Sequence, residues 1–188
     1  MEIIPSLTSE RLVLRPFTLE DAKVVQELAG DERIAATTLT IPHPYLDGMA
    51  EEWITAIQTS YENGNGIIWA VTIKETGKIA GAIGLQLKPV FNKAEIGYWI
   101  GVPFWNKGYA SEATATVIKY GFEELMLNKM DAHYFATNPA SGRVMVKNGM
   151  QQEGLLRKDI KKDGEYIDIV LYGILRDEYL EQQKAIQE

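Results

Sequence analysis

The stretch AEIGYWIGVPFWNKGYASE, residues 94–112, carries an apolar strand into a loop that opens directly into a helix. Ala94 to Ile100 reads as the strand, Gly101 to Pro103 leaves it, and Trp105-Asn106-Lys107-Gly108-Tyr109-Ala110 leads into the helix. A junction of this kind leaves backbone N–H groups unpaired at the positive end of the helix dipole, where a phosphate is well held. Gly108 lets the backbone approach a ligand without a Cβ in the way. The stretch has neither the G-x-x-x-x-G-K-[ST] spacing of a P-loop nor a G-x-G-x-x-G dinucleotide fingerprint. Taken alone, Gly108 and Ala110 would serve equally well for tight packing at a strand-to-helix corner.

The flanking segments place this junction inside a mixed α/β order. Arg11 to Arg15 alternates, with Leu12 and Leu14 on one face, as a first strand does. Thr18 with Asp21 caps a helix whose Leu19, Val24, Val25 and Leu28 form an apolar stripe. A second helix is predicted from about Asp47 to Glu62, where Met49, Trp53, Ile54, Ile57 and Tyr61 recur at helical spacing before Asn63-Gly64-Asn65-Gly66. Ile67–Ile73 and Ile79–Leu87 read as a hairpin around Gly77.

Beyond the loop, Ala113, Val117, Ile118, Phe122 and Leu125 mark one face of a long helix ending near Leu127. Asp131–Thr137 reads as a strand and Ala140–Asn148 as a short helix closed by Gly149. Leu155–Ile160 pairs with Tyr166–Ile174 across Lys162-Asp163-Gly164. The tail from Arg176 to Glu188 is polar enough for a frayed helix. The order is β-α-α-β-β-β-α-β-α-β-β, with no internal repeat or long linker, and one domain over residues 1–188 is expected.

Composition narrows the function. The 188 residues are 46% hydrophobic and 24% charged, as in an ordinary globular protein. Absence of cysteine excludes disulfides, thiolate metal sites and any covalent intermediate on a cysteine. The net charge of −7 argues against direct nucleic-acid binding and suits a cationic partner such as an amine or a basic peptide. MEIIPSLTSERL lacks the features of a signal peptide, and no apolar run is long enough to span a bilayer, so a soluble cytoplasmic protein without membrane contact is expected. His43 and His133 are the only histidines, too few for a multi-histidine metal site, and no metal is expected.

WNKGYASEA at 105–113, preceded by AEIGYWI at 94–100, resembles the coenzyme A loop of the GNAT acetyltransferases. Further matches are SERLVLRP at 9–16, IPHPY at 41–45, NPASGRVMVKNGM at 138–150 and the run from Glu153-Gly154 through Asp168 to Tyr172. Within that family the chain is most similar to the branch of ribosomal-protein N-terminal acetyltransferases. One departure is Trp105, where the family loop often begins with Gln or Arg.

The resemblance implies a GNAT-type α/β fold whose sheet splays between the strands at 94–100 and 131–137. It implies acetyl-CoA as co-substrate, its pyrophosphate on Asn106, Lys107, Gly108, Tyr109, Ala110 and Ser111. The peptide-like pantetheine arm would add to the strand edge through Ile100 and Val102, and a backbone N–H near Ile100 would face the acetyl carbonyl. Asn138 caps the short helix or binds the arm. Ser141 serves the leaving thiolate as a donor or is only a helix N-cap.

A neutral amine has to attack, and Glu95 is the leading base, directly or through water, unless it is an ordinary solvent-facing strand residue. Asp168 is a second candidate, or merely bonds a neighbouring loop. His43 and Tyr45 mark the acceptor rim, where prolines could instead only stiffen a turn. His133 is expected to pack within its strand. Relatives of this kind often form homodimers. Three readings follow: transfer to a peptide or protein N-terminal amine, transfer to a small amine such as an aminoglycoside or polyamine, and a non-catalytic acyl-CoA-binding regulatory module.

Overall fold

A computed structural model describes residues 3–187. Met1 and Glu2 of the N-terminal stretch and Glu188 of the expected frayed tail lie outside the described residues. The strands are β1 (Leu7–Thr8), β2 (Leu12–Arg15), β3 (Gly66–Ile73), β4 (Ile79–Lys88), β5 (Lys93–Ile100), β6 (Lys129–Phe135), β7 (Gln151–Lys162) and β8 (Glu165–Leu175). They form one open sheet in the order β1-β2-β3-β4-β5-β6-β8-β7. Every neighbouring pair is antiparallel except β5 and β6, which run parallel.

Helices cover both faces, so the central strands read as nearly continuous apolar runs. On one face lie α1 (Ala22–Ala29) and α3 (Met49–Glu62), whose Val25 and Ile54 pack against Ala82 and Trp99. On the other lie α4 (Tyr109–Glu123) and α5 (Pro139–Lys147), whose Val117, Phe122 and Met145 join Ile96 and Met130. The faces follow from strand alternation: Trp99 opposes Ala82, while Tyr98 opposes Ile83 one residue away. The result is the α/β class with an open sheet flanked by helices that the sequence predicts.

Local rules account for most boundaries. Thr18 and Asp21 close a capping box ahead of α1. Gly77, at φ +67°, turns the β3–β4 hairpin, and Gly149, at φ +73°, follows the end of α5.

Two elements escape the sequence pattern, and the buried face of a third differs from it. The two-residue β1 and the four-residue α2 (Glu32–Ala35) are too short to show a period. The stripe predicted on α1 is displaced, since Leu19 is 61% exposed and Val24 37% exposed while Ala22, Val25 and Ala29 are buried. Leu19 belongs to a 3-10 turn ahead of the helix, which rotates the buried face toward the alanines.

The polar tail does not hang free. Residues Arg176–Gln187 form α6, and its Tyr179 is only 5% exposed. That ring stacks on Phe122 at 5.1 Å, and its hydroxyl donates to Glu123 at 2.6 Å. Replacing Tyr179 by Ala is expected to lower unfolding free energy by about 3 kcal/mol in a urea titration, whereas a change within about 0.5 kcal/mol would mean a frayed tail.

Candidate active site

The site begins where the sheet stops being a sheet. β5 and β6 pair only from Lys93–Lys129 to Ile96–Ala132, yet run on to Ile100 and Phe135 without each other. Gly101 N–H bonds the Ala80 carbonyl on the β4 side, so by alternation Tyr98 and Ile100 turn their backbone groups toward the gap. The Trp105 indole N–H donates to the Ile100 carbonyl at 2.5 Å. Ile100 N–H and the Tyr98 groups remain as an open edge able to accept an amide-bearing arm as an added strand. Val102 instead opens a 3-10 turn in which its carbonyl accepts from Trp105 N–H.

A cleft of about 990 Å³ runs through this gap. Tyr98, Ser141 and Met145 line it on the α4–α5 face, and Glu95, Trp99, Trp53 and His133 on the α1–α3 face.

At the start of α4 the chain presents an anion cradle. Asn106 and Gly108 are both left-handed, at φ +60° and +80°. The N–H groups of residues 106–111 have no acceptor among the described residues, and the first bond at this end runs from Glu112 N–H to the Gly108 carbonyl at 3.0 Å. Successive N–H groups in such a turn at a helix N-terminus suit a pyrophosphate. The loop is clasped from the N-terminal strands. Arg11 Nε, Arg11 N–H and Ser9 Oγ each reach the Glu112 carboxylate at 2.7 Å. Arg11 also donates to the Lys107 carbonyl at 3.0 Å and lies 5.1 Å from the Tyr109 ring centre.

On the opposite face, Glu95 is not a free carboxylate. His133 Nδ1 lies 2.9 Å from Oε1 and Lys88 Nζ 2.7 Å from Oε2. The His133 hydrogen bond, helped by the Lys88 ammonium, outweighs burial and lowers the Glu95 carboxyl from 4.5 to about 2. In return, the bond to Glu95 raises the His133 pKa above 6.5. An ionised carboxylate only accepts, so the shared proton sits on Nδ1 and Nε2 is the free ring nitrogen. Glu95 held at about 2 is a poor proton acceptor, and His133, expected to pack within its strand, is 37% exposed at the cleft. No short motif links these two residues; only the β5–β6 register brings them together.

Ser141 lies three residues beyond Asn138, which is the N-cap of α5, so Ser141 is not itself the cap. Its Oγ accepts from Asn138 Nδ2 at 3.2 Å, which leaves its own proton available to the cleft. The buried Tyr98 hydroxyl faces Ser141 without a hydrogen bond of ordinary geometry, and burial outweighs that neighbour to push its pKa up. Sequence reading passed over Tyr98 as well as His133.

Asp168 stands apart. It accepts the Lys158 N–H at 2.7 Å where β7 bulges, and lines a separate hollow with residues 155–159. That is the neighbouring-loop role, outside the cleft that Glu95 and Ser141 line. His43 bonds the Gly30 carbonyl through Nδ1 at 3.0 Å and does not line the cleft, whereas Tyr45 does. Among the described residues no three His, Cys, Asp or Glu side chains gather as a metal site would need, and no helix is long and apolar enough to cross a membrane.

Residues 11–151 match the acetyltransferase (GNAT) domain family. The chain is 33% identical over 180 residues to YoaA, an uncharacterized N-acetyltransferase of Bacillus subtilis (strain 168), covering 93% of this chain and 98% of that one. It is 30% identical over 179 residues to YdaF of the same organism, named provisionally as a ribosomal N-acetyltransferase, covering 91% and 94%. In three dimensions it is similar to RimL, a ribosomal-protein α-N-acetyltransferase solved with coenzyme A, at a TM-score of 0.83 and 18% identity over 93% of this chain and 98% of that one. By its sequence and its splayed sheet, this chain belongs to the GNAT family and is an N-acetyltransferase.

Proposed function

We propose that the protein transfers an acetyl group from acetyl-CoA to the α-amine of a peptide or protein N-terminus, with His133 as general base. The observation that carries this reading is the Glu95–His133 pair, set at a gap in the sheet whose opposite face carries α4, the helix that the anion cradle opens. Acetyl-CoA, when bound, supplies an activated acyl group as a thioester. Residues 106–111 hold its pyrophosphate through their free N–H groups, and Ile100 with Tyr98 holds its arm along the open β5 edge.

The choice of acceptor rests on proton affinity. A peptide α-amine has a pKa of about 7.7–8.0 and needs only modest help from an imidazole whose proton affinity Glu95 raises, whereas a lysine or polyamine nitrogen near 10.4 is far harder to deprotonate. Nε2 takes the proton, and Glu95 orients the ring and stabilises the imidazolium that forms. Ser141, its oxygen occupied by Asn138, donates its hydrogen bond toward the departing sulfur. YdaF's name and the RimL fold support a protein N-terminus, with ribosomal proteins as the class they suggest.

Acetylation of N-terminal peptides, followed by thiol release, tests the reading, and a His133→Ala variant should lose about 10²-fold in kcat. In the parent enzyme kcat/KM should rise with pH through an inflection above 6.5. Glu95→Gln removes the carboxylate that raises His133, so the inflection should move to lower pH as the rate falls. An unmoved inflection would assign the base elsewhere. Gly108→Val, forcing a β-branched residue to φ +80° inside the cradle, should abolish acetyl-CoA binding in calorimetry while unfolding stays cooperative. Ser141→Ala should lower kcat by about tenfold with little change in acetyl-CoA affinity.

A further inference from the structure

The half of the cleft on the α1–α3 face differs in chemistry from the half that faces the cradle. Its walls carry a continuous apolar stretch, Val25 and Ala29 from α1, Ile41 from the following loop, Trp53 from α3 and Ile68 from β3, with threonines of the 37–40 loop at one side. Phe17 packs edge-on against Trp53 at 5.0 Å and fixes that ring. The charged groups lining the whole cleft are Glu52, Glu95 and His133, and among the described residues no Lys or Arg lines it. Lys88, the cation nearest this chemistry, is committed to Glu95 at 2.7 Å.

From this inventory we infer that the acceptor is a peptide N-terminus whose first side chain is apolar, and that the chamber rejects an amine bearing a free carboxylate on the same carbon. The inference deepens the proposed function and rests on it. With the amine at His133 Nε2, the α-carbon substituent meets the Trp53–Ile68 wall, where apolar area is removed from water. A serine or glycine side chain gains little there. The carbonyl that follows the α-carbon must be uncharged. A carboxylate at that point would be desolvated beside Glu95 and Glu52 with no cation to receive it, while a peptide carbonyl carries no such penalty. The same absence of cations separates this chamber from one built for free amino acids.

The test is calorimetric binding of leucinamide, serinamide and free leucine to the protein saturated with coenzyme A, alongside turnover of the same three amines with acetyl-CoA. Leucinamide is expected to bind at least about tenfold more tightly than either competitor, over serinamide by one buried aliphatic side chain and over leucine by the penalty on its desolvated carboxylate. Glu52→Lys, an exchange on the exposed side of α3, should bring free leucine at least about fivefold closer to leucinamide by giving its carboxylate a partner. Equal or tighter binding of serinamide or leucine overturns the inference, as does binding of none of the three. The expected binding order without any turnover would support the chamber's selectivity while overturning the transferase reading.

Discussion

Where β5 and β6 part after Ile96, the backbone groups of Tyr98 and Ile100 lose the strand that would bond them. A buried backbone amide without a partner costs about as much as a lost hydrogen bond, so a sheet does not open at its centre without some other means of satisfying those groups. Here part of the answer is internal: the Trp105 indole bonds the Ile100 carbonyl. The rest of the open edge is where the pantetheine amides are proposed to complete the sheet. An indole spans from the loop back to the strand end and donates once, which is what the Ile100 carbonyl requires.

Opening the sheet also decides where charge can reside. Each face of the gap carries a different electrostatic device. On the α4 side, six backbone N–H groups concentrate partial positive charge in a protein whose net charge is −7. A local dipolar site can therefore hold phosphates against an unfavourable overall field. On the α1 side, Lys88, Glu95 and His133 form a chain of alternating sign that keeps a titrating imidazole at the cleft. Lys93 and Asp131 pair at 2.6 Å on adjoining positions of the same two strands. The short paired segment below the splay is thus cross-linked by side-chain bonds as well as by its ladder.

How much of this was legible depended on whether the signal was local. The β5–loop–α4 junction, the β3–β4 hairpin and the closure of α5 rest on alternation, helical spacing and glycines at positive φ, all written within a few residues. The turn at 106–111, proposed as the phosphate seat, lies within the same local stretch. The Glu95–His133 pair could not, because it depends on which residue of β6 stands beside which residue of β5. Of the two roles open to Asp168, a second base or a bond to a neighbouring loop, the structure displays the loop bond, because β7 bulges beside it and turns the Lys158 N–H onto its carboxylate. The tail misled because polar composition hid one buried tyrosine. Local propensity says where elements form, while partners across the sheet decide what they do.

The clasp on the cradle has a consequence for how the protein becomes competent. Ser9 and Arg11 reach Glu112 across more than a hundred residues of chain, a separation of 101 to 103 positions. Contacts so distant in sequence incur a large loop-closure entropy and form only once intervening structure brings their ends together. Helix α4 can coil early from local bonds, but its first turn is fixed only when the N-terminal strands dock beside it. On the proposed reading, coenzyme affinity is therefore a late-maturing property of the chain. A polypeptide still emerging from the ribosome, or one whose N-terminal edge has peeled away, would keep most of its helices and yet lack a usable phosphate seat.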